Sequence, residues 1–260
     1  MGAPRFLVTG GTGSLGSRVV ERLRGAGQGI RVLSRSGRPD TLRGDLATGE
    51  GLEAAVEGVE TVVHCASSPI RTRQVDVEGT ERLLGVAGRA GVSHFHFISV
   101  VGVDRNPYFP YYRLKLETER IVERSEVPWT ILRATQFHGF ILLFVRPLGR
   151  LPVMPAPKDF LFQPIDVGEV AVRVAELALA APAGRVPDVG GPEVRTFADL
   201  ARAYLEAAGL RRRVVEVPFP GRMARALREG AQLAPDGRYG EVRWEEFLER
   251  EIVRRRNDDG

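Results

Sequence analysis

The sequence predicts an α/β fold, a doubly wound parallel sheet followed by a small C-terminal α/β substrate lobe. Three observations point there. A strand, a glycine-rich turn, an amphipathic helix and a second strand follow one another between Arg5 and Ser34. Strand-like and helix-like segments then alternate as far as Ala134, and strands alternating with helices imply a parallel sheet covered on both faces. Beyond that point the rhythm loosens, with prolines at 147, 152, 155 and 157 breaking the chain.

"RFLVTG" (5–10) is a short apolar, β-branched run that stops at glycine, as a buried parallel strand does. Leu15, Val19, Val20 and Leu23 form a helical stripe that ends near Gly25 and Gly27. "IRVLS" (30–34) is the second strand. Between it and "TLRGDL" (41–46) lie fewer residues than the ~10–12 of a crossover helix, so a loop is expected there. "TVVHCA" (61–66) reads as strand four, and "VDVEGTERLLGVAGRAG" (75–91) as a helix with Leu83, Leu84 and Ala87 inward. "HFHFISV" (94–100) is a strand, "YYRLKLETERIVERS" (111–125) a helix and "WTILRA" (129–134) a strand. Further on, "FLFQPI" (160–165) is strand-like and 167–180 helical. Residues 196–209 form a helix with Thr196 as its N-cap, and "RVVEVP" (213–218) is a strand. Residues 1–260 are read as a single domain in which 136–165 and 192–256 form the smaller lobe. That lobe is expected over the carboxyl edge of the sheet, where open α/β sheets bind ligands.

Composition excludes several classes of function. With 43% hydrophobic and 27% charged residues, the chain is ordinary globular material. Its longest apolar run, "FILLFV" (140–145), falls far short of the ~18 residues of a membrane span, so no membrane partner is expected. That run is core, or an apolar lid. Phe6 stands where an acylation signal at Gly2 would need Ser or Thr. The single cysteine, Cys65, excludes an internal disulfide and fits a reducing cytoplasm. There is no metal-ligand cluster, and no basic block with interleaved aromatics marks a nucleic-acid face. The net charge is +4, yet of 37 basic residues only Lys115 and Lys158 are lysines. The "VRRRND" tail (253–258) places cations at the carbonyl end of a final helix.

Gly10, Gly13 and Gly16 are spaced G-x-x-G-x-x-G, and Gly11 with Gly13 and Gly16 also satisfies G-x-G-x-x-G. The first glycines allow a tight turn, the middle one lets a pyrophosphate approach the backbone, and the last lets helix pack on strand. Free N–H groups and the helix dipole draw the phosphates to the same point. Thr9, Gly10, Gly11, Thr12, Gly13, Ser14, Leu15 and Gly16 are therefore the candidate phosphate cradle. Strand two selects the dinucleotide. An NAD site usually carries an acid about 20 residues past the glycines. Here Ser34 and Arg35 occupy that place, with Arg38 close by and no acid before Asp40. A guanidinium there pairs with a 2′-phosphate, which predicts NADP(H).

Tyr111 and Lys115 lie four apart and share one helical face. An ammonium beside a phenol favours loss of the phenolic proton. With "VTGGTGSLG" (8–16), "GDL" (44–46), "HFISV" (96–100) and "PYYRLKLETERIVERSEVPWTILRATQFHGF" (110–140), the chain resembles the short-chain dehydrogenase/reductases, specifically the atypical, NmrA-like branch related to the extended sugar-nucleotide epimerases. The resemblance covers about residues 5–195 well and the remainder loosely. It implies a Rossmann-like fold, Ser99 as the active-site serine, and Tyr111 with Lys115 as its Y-x-x-x-K pair. It also implies that Asp45 faces the adenine and that Ala66 and Ser67 line the ribose. Leu46, Ala134 and Gln136 complete the cofactor-binding set, to which Ser99 and Lys115 also contribute.

The activity so implied is NADP(H)-dependent reduction of a carbonyl, quinone or enone on a small apolar substrate. One departure opens an alternative. Asp76 stands where the family carries Asn, and a carboxylate cannot donate as an amide does unless protonated. The branch holds both reductases and non-catalytic NADP(H)-sensing regulators, whose lobe contacts a protein partner. A nucleotide-sugar epimerase is a third reading, weakened by the short C-terminal half. Among the histidines, His94 and His96 alternate on one side of a strand and read as packing. His64 reads as a satisfied polar group near the cofactor, and His138 as a candidate to face substrate.

Overall fold

The computed structural model describes residues 5–68 and 70–258, with side chains up to Val253. Gly2 and the arginine side chains of the tail lie outside the described residues. The chain divides into two compact units, one of Met1–Ser99, Pro110–Arg133 and Gly168–Pro187, the other of Val100–Phe109, Ala134–Val167 and Asp188–Gly260.

The first unit holds β1 (Phe6–Thr9), α1 (Ser14–Gly25), β2 (Ile30–Ser34), β3 (Leu42–Arg43), α2 (Leu52–Val56) and β4 (Thr61–His64). After them come a π-helical turn (Arg73–Val77), α3 (Glu78–Arg89), β5 (His94–Val100), α4 (Pro110–Glu123) and β6 (Trp129–Ala134). Its sheet has seven strands in the order β3-β2-β1-β4-β5-β6-β9, where β9 is Gly184–Arg185. Strand β1 pairs in parallel with both β2 and β4, so Leu7 stands opposite Arg31 and Val62. The order reverses at β1 and β4, the switch point at which open α/β sheets hold ligands.

The core of this unit joins Leu7, Leu52, Leu83, Phe95, Phe97 and Ile131, all fully buried. One ion pair is sealed beside it. Arg133 donates from Nε and Nη2 to the two carboxylate oxygens of Glu119 at 2.8 and 2.6 Å, with both residues at most 2% exposed. Such a bidentate pair specifies how α4 sits on β6 more than it adds stability, because both charges lost their water.

Most expected elements occur within a residue or two. The segment from 35 to 41 is a loop, and β3 pairs with β2 without a crossover helix. The helix expected at 75–91 differs, because it opens two residues earlier in a π turn before continuing as α3. The short α2 has no counterpart in the sequence reading. Its five residues are too few to show a helical period.

The second unit carries α5 (His138–Leu148), β7 (Val153–Pro157), β8 (Leu161–Phe162), β10 (Arg195–Thr196), α7 (Phe197–Ala207), β11 (Arg213–Val217), α8 (Arg222–Arg228) and α9 (Trp244–Asp258). Helix α6 (Val167–Leu179) belongs, except for its first residue, to the first unit. Two small sheets pair β7 with β11 and β8 with β10. The prolines break less than expected. Pro147 lies in the last turn of α5, and Pro155 and Pro157 lie within β7. Strand β7 has one neighbour, to which Lys158 donates its N–H. Residues alternate in direction along a strand, so Pro155 and Pro157 turn their missing donors to the open edge. "FLFQPI" keeps only Leu161–Phe162 as strand. Thr196 caps α7 as expected, accepting the Asp199 amide at 3.1 Å.

"FILLFV" is neither wholly core nor wholly lid. Ile141, Leu142 and Val145 are buried while Phe140, Leu143 and Phe144 are exposed on the other face of α5. Among the described residues no helix is long and apolar enough to cross a membrane.

Candidate active site

Three of the four glycines of the turn serve three different ends. Gly10 adopts φ +68°, and a Cβ there would lie 2.7 Å from the Ala66 backbone, so it fixes the turn against the end of β4. A Cβ on Gly16 would collide with the Gly10 carbonyl, so that glycine seats α1 on the turn. Gly13 is different. A Cβ there would meet one atom, Gly10 O at 3.2 Å, and otherwise open space. No side chain caps α1 and its first turn holds no acid, so its positive end is uncompensated. An open concavity of backbone beside an uncapped helix start fits a dinucleotide pyrophosphate. Thr12, Gly13 and Ser14 are exposed there, whereas Leu15 points inward and contributes backbone alone.

A test separates these roles. Gly13→Val is expected to weaken NAD(P)H binding by about 30- to 100-fold while the melting temperature changes little, since the added side chain fills ligand space. Gly16→Val should instead unfold the chain. Calorimetric titration alongside thermal melts reads both, and an unaltered affinity in Gly13→Val would place the phosphates elsewhere.

Behind the turn runs a chain of buried hydrogen bonds. His64 Nδ1 lies 2.6 Å from Thr9 Oγ1, and Nε2 lies 2.9 Å from Thr80 Oγ1. The Thr80 hydroxyl donates to the Asp76 carbonyl, so its proton is spent. Hence His64 carries its proton on Nε2 and accepts from Thr9 on Nδ1. Burial, with Lys115 nearby, pushes His64 down to about 3, so it stays neutral. The expected polar satisfaction holds. The same burial pushes the Cys65 thiol up to about 12, which leaves it unreactive.

Ser99 and the carbonyl held by Lys115 lie at the carboxyl end of β5, while Tyr111 faces Ser67 beyond β4. Ser99 is 2% exposed, and its hydroxyl has no hydrogen-bond partner among the described residues. Lys115, 3% exposed, donates to the Ile98 carbonyl at 3.0 Å. Its ammonium lies 4.2 Å from the Phe97 ring centre and 3.7 Å from Asp76 Oδ1. Tyr111 lies in the first turn of the helix that carries Lys115, and its hydroxyl lies 3.4 Å from Ser67 Oγ. Asp76 accepts from Ser67 Oγ at 2.7 Å and from the Ser68 amide at 3.0 Å. Sequence reasoning left these last two contacts unseen, although "SSP" directly after strand four offers hydroxyls where a strand end meets a helix start.

The remaining expected residues are placed as follows. Ser34 is buried, with its hydroxyl 3.1 Å from Ser36 Oγ, while Arg35 and Arg38 are exposed and form no ion pair among the described residues. Asp45 takes the Ala47 amide at 2.9 Å, and Leu46 packs in the core. Ala66 sits against Gly10. In the second unit Ala134 ends β6, and Gln136 is bound into a buried glutamine network. Its amide donates to the Gln232 carbonyl at 3.2 Å, and its oxygen receives the Gln163 amide at 3.4 Å.

His138 does not face an opening. Its ring is stacked 5.0 Å from Phe247 and lies tilted 5.7 Å from Trp244, and is 1% exposed. The substrate-facing expectation is corrected accordingly. An imidazole's apolar faces suit an aromatic slot as well as its nitrogens suit a ligand. His94 bonds Thr130 Oγ1 at 2.9 Å and His96 is fully buried, as packing predicts. Among the described residues no group of His, Cys, Asp and Glu could hold a metal ion.

Comparison with known proteins bears on this geometry. A sequence family described as NAD(P)H-binding matches residues 10–139. A (4-alkanoyl-5-oxo-2,5-dihydrofuran-3-yl)methyl phosphate reductase of Streptomyces griseus is 33% identical over 74% of this chain and 69% of its own. The photosystem II assembly factor Ycf39 of Trieres chinensis is 26% identical over 82% of this chain and 72% of its own. Of several curated relatives the chain spans between 40% and 72% of the length. In fold it is similar to the NADPH-dependent quinone oxidoreductase QOR2 of Escherichia coli, solved with NADPH. The TM-score is 0.75 at 18% identity, covering 95% of this chain and 99% of that one.

Proposed function

The chain belongs to the NAD(P)H-binding family, and from that premise we propose that it is an NADP(H)-dependent reductase of the atypical short-chain dehydrogenase/reductase kind, acting on a small apolar carbonyl, quinone or enone compound. One observation carries the reading. Ser99, whose buried hydroxyl has no partner among the described residues, follows Ile98, whose carbonyl is gripped by Lys115 of the helix that also presents Tyr111. A buried hydroxyl without a partner is costly, and a substrate oxygen would satisfy it. Bound NADPH would supply the hydride. Ser99 donates a hydrogen bond to the substrate oxygen and draws charge onto it. Tyr111 passes its hydroxyl proton to that oxygen, and Lys115 holds the local charge and the nicotinamide ribose. The glycine turn would hold the pyrophosphate, Ala66 and Ser67 the ribose, and Asp45 the adenine side. Incubating the protein with NADPH and a panel of aldehydes, ketones and quinones tests the reading. Oxidation of NADPH with one class of acceptor is the expected result.

The choice of NADP(H) rests on Arg35, exposed at the end of β2 and without an ion pair among the described residues. A guanidinium–phosphate contact contributes ~1.5–3 kcal/mol, so Arg35→Ala should erase about 10- to 150-fold of the preference for NADPH over NADH. Equal affinity of the parent protein for the two, read by titration calorimetry, would remove the assignment.

A second reading is supported by similarity to the Ycf39 assembly factor together with Asp76. In it the chain binds NADP(H) without turnover and acts through a protein partner. Tight NADPH binding with no oxidation across the whole panel would select it.

A further inference from the structure

Around Tyr111 the hydrogen bonds have a direction. Asp76 is 1% exposed and is reached only by donors among the contacts given above, namely Ser67 Oγ and Lys115 Nζ at Oδ1 and the Ser68 amide at Oδ2. Both oxygens of this carboxyl therefore serve as acceptors, beside the Lys115 ammonium. Ser67 owns a single hydroxyl proton, and the charged acceptor at 2.7 Å takes it. The proton in the longer 3.4 Å contact must then come from the phenol. Tyr111 donates to Ser67, and Ser67 donates to Asp76.

The backbone fixes this chain from the far side. The π-helical turn at Arg73–Val77 places the Asp76 carbonyl to receive the hydroxyl of Thr80 on α3, with Thr118 Oγ1 of α4 3.2 Å away and sharing its proton with the Leu114 carbonyl at 2.9 Å. Single π turns inside helices concentrate at functional sites. This one holds a carboxylate beneath the phenol at a strand end.

We propose that Asp76 and Ser67 are positioning residues for Tyr111, fixing the setting of its ring and hydroxyl through a charged hydrogen-bond chain. The proposal rests on the reading of Tyr111 as proton donor. An aspartate suits this task better than an amide. Three donors surround the group, and an amide would turn its NH2 toward one of them and unfix the direction of the chain. Asp76 is therefore a working part of the site, in which the ordered hydroxyl of Ser67 stands between carboxylate and phenol. During turnover the Tyr111 O–H bond breaks as the substrate O–H bond forms, and water reprotonates the phenolate after product leaves.

Kinetics on the acceptor found by the panel tests this. Ser67→Ala should lower kcat, read at saturating NADPH, about 3- to 10-fold, the share of one hydrogen bond. Ser67→Thr, which restores a hydroxyl, should return kcat to within about twofold of the parent. Asp76→Asn should lower kcat about 3- to 10-fold, and the double variant should fall no further, because both changes cut one chain. A kcat within twofold of the parent in Ser67→Ala, equal losses in Ser67→Ala and Ser67→Thr, or multiplying losses in the double variant would each overturn the proposal. A readout free of turnover accompanies these. The ring Cζ resonance of 13C-labelled Tyr111, assigned by its loss in Tyr111→Phe, should move in both Ser67→Ala and Asp76→Asn. A parent without turnover would remove the reductase reading and leave the carbon resonance to decide the hydrogen-bond chain. A resonance unmoved in both variants would show that the chain does not exist.

Discussion

Taken from pH 7 to pH 5, the folded chain is expected to lose about 6 kcal/mol of stability, most of what holds a typical domain together. Three histidines carry the loss. His64, His96 and His138 are each at most 1% exposed. Burial lowers the first two to about 3 and the third to about 4. The unfolded chain holds the same imidazoles at about 6.5. Below that value the unfolded state binds protons that the folded state refuses, so stability is complete above pH 6.5 and drains as pH falls toward the folded values. Each histidine contributes ~1.4 kcal/mol per pH unit across that window, and the three together about 4. Asp199 works in the same direction but lower. The Thr196 hydroxyl holds its carboxyl below the ordinary range, so its contribution disappears only in stronger acid.

Urea unfolding at pH 7, 6 and 5 measures the slope directly. His96→Leu offers the sharper version. Neither ring nitrogen of His96 has a hydrogen-bond partner among the described residues, so an apolar side chain of similar size should be tolerated and should flatten the slope by about one third. A parent whose stability at pH 5 lies within about 1 kcal/mol of its value at pH 7 would contradict the buried, neutral state of these rings.

What the sequence made legible, and what it hid, follows from the range of the forces involved. The glycine turn was readable because steric demands on consecutive residues write themselves into consecutive letters. Gly10 and Gly16 have no room for a Cβ, and Gly13 meets only Gly10 O at 3.2 Å. The long strands and helices declared themselves by period. Tyr111 and Lys115 stood out through helical spacing and the scarcity of lysine. The hidden features come from partners far apart in the chain. Nothing near Glu119 announces Arg133, and nothing near Asp76 announces that Ser67, Ser68, Thr118 and Lys115 gather round it. His138 looked available because it follows closely on strand six, whereas Trp244 and Phe247 arrive more than a hundred residues later. The prolines of β7 misled for a similar reason. Whether a strand tolerates proline depends on which side its partner lies, and only β11 decides that.

Replacing Tyr111 by phenylalanine is expected to cut turnover on the acceptor found by the panel by ~10²–10⁴, the usual share of general acid catalysis, with NADPH affinity nearly unchanged. The substitution keeps the ring at the head of α4 and its packing against Tyr112, whose ring centre lies 6.3 Å away, and removes only the transferable proton. The loss should therefore fall on kcat. Lys115→Arg should be as damaging through a different failure. The ammonium fits between the Ile98 carbonyl at 3.0 Å, Asp76 and the Phe97 ring, a space shaped for a compact cation. A guanidinium is flat and larger, and would keep the charge while displacing the strand end that carries Ser99. Its signature would be a lower melting temperature and weaker NADPH binding together with lost turnover, whereas Tyr111→Phe should show lost turnover alone. Steady-state kinetics, calorimetric titration and thermal melts on the two variants separate these patterns. Turnover that survives Tyr111→Phe within threefold would take Tyr111 out of the chemistry and leave Ser99 as the residue that faces the substrate oxygen.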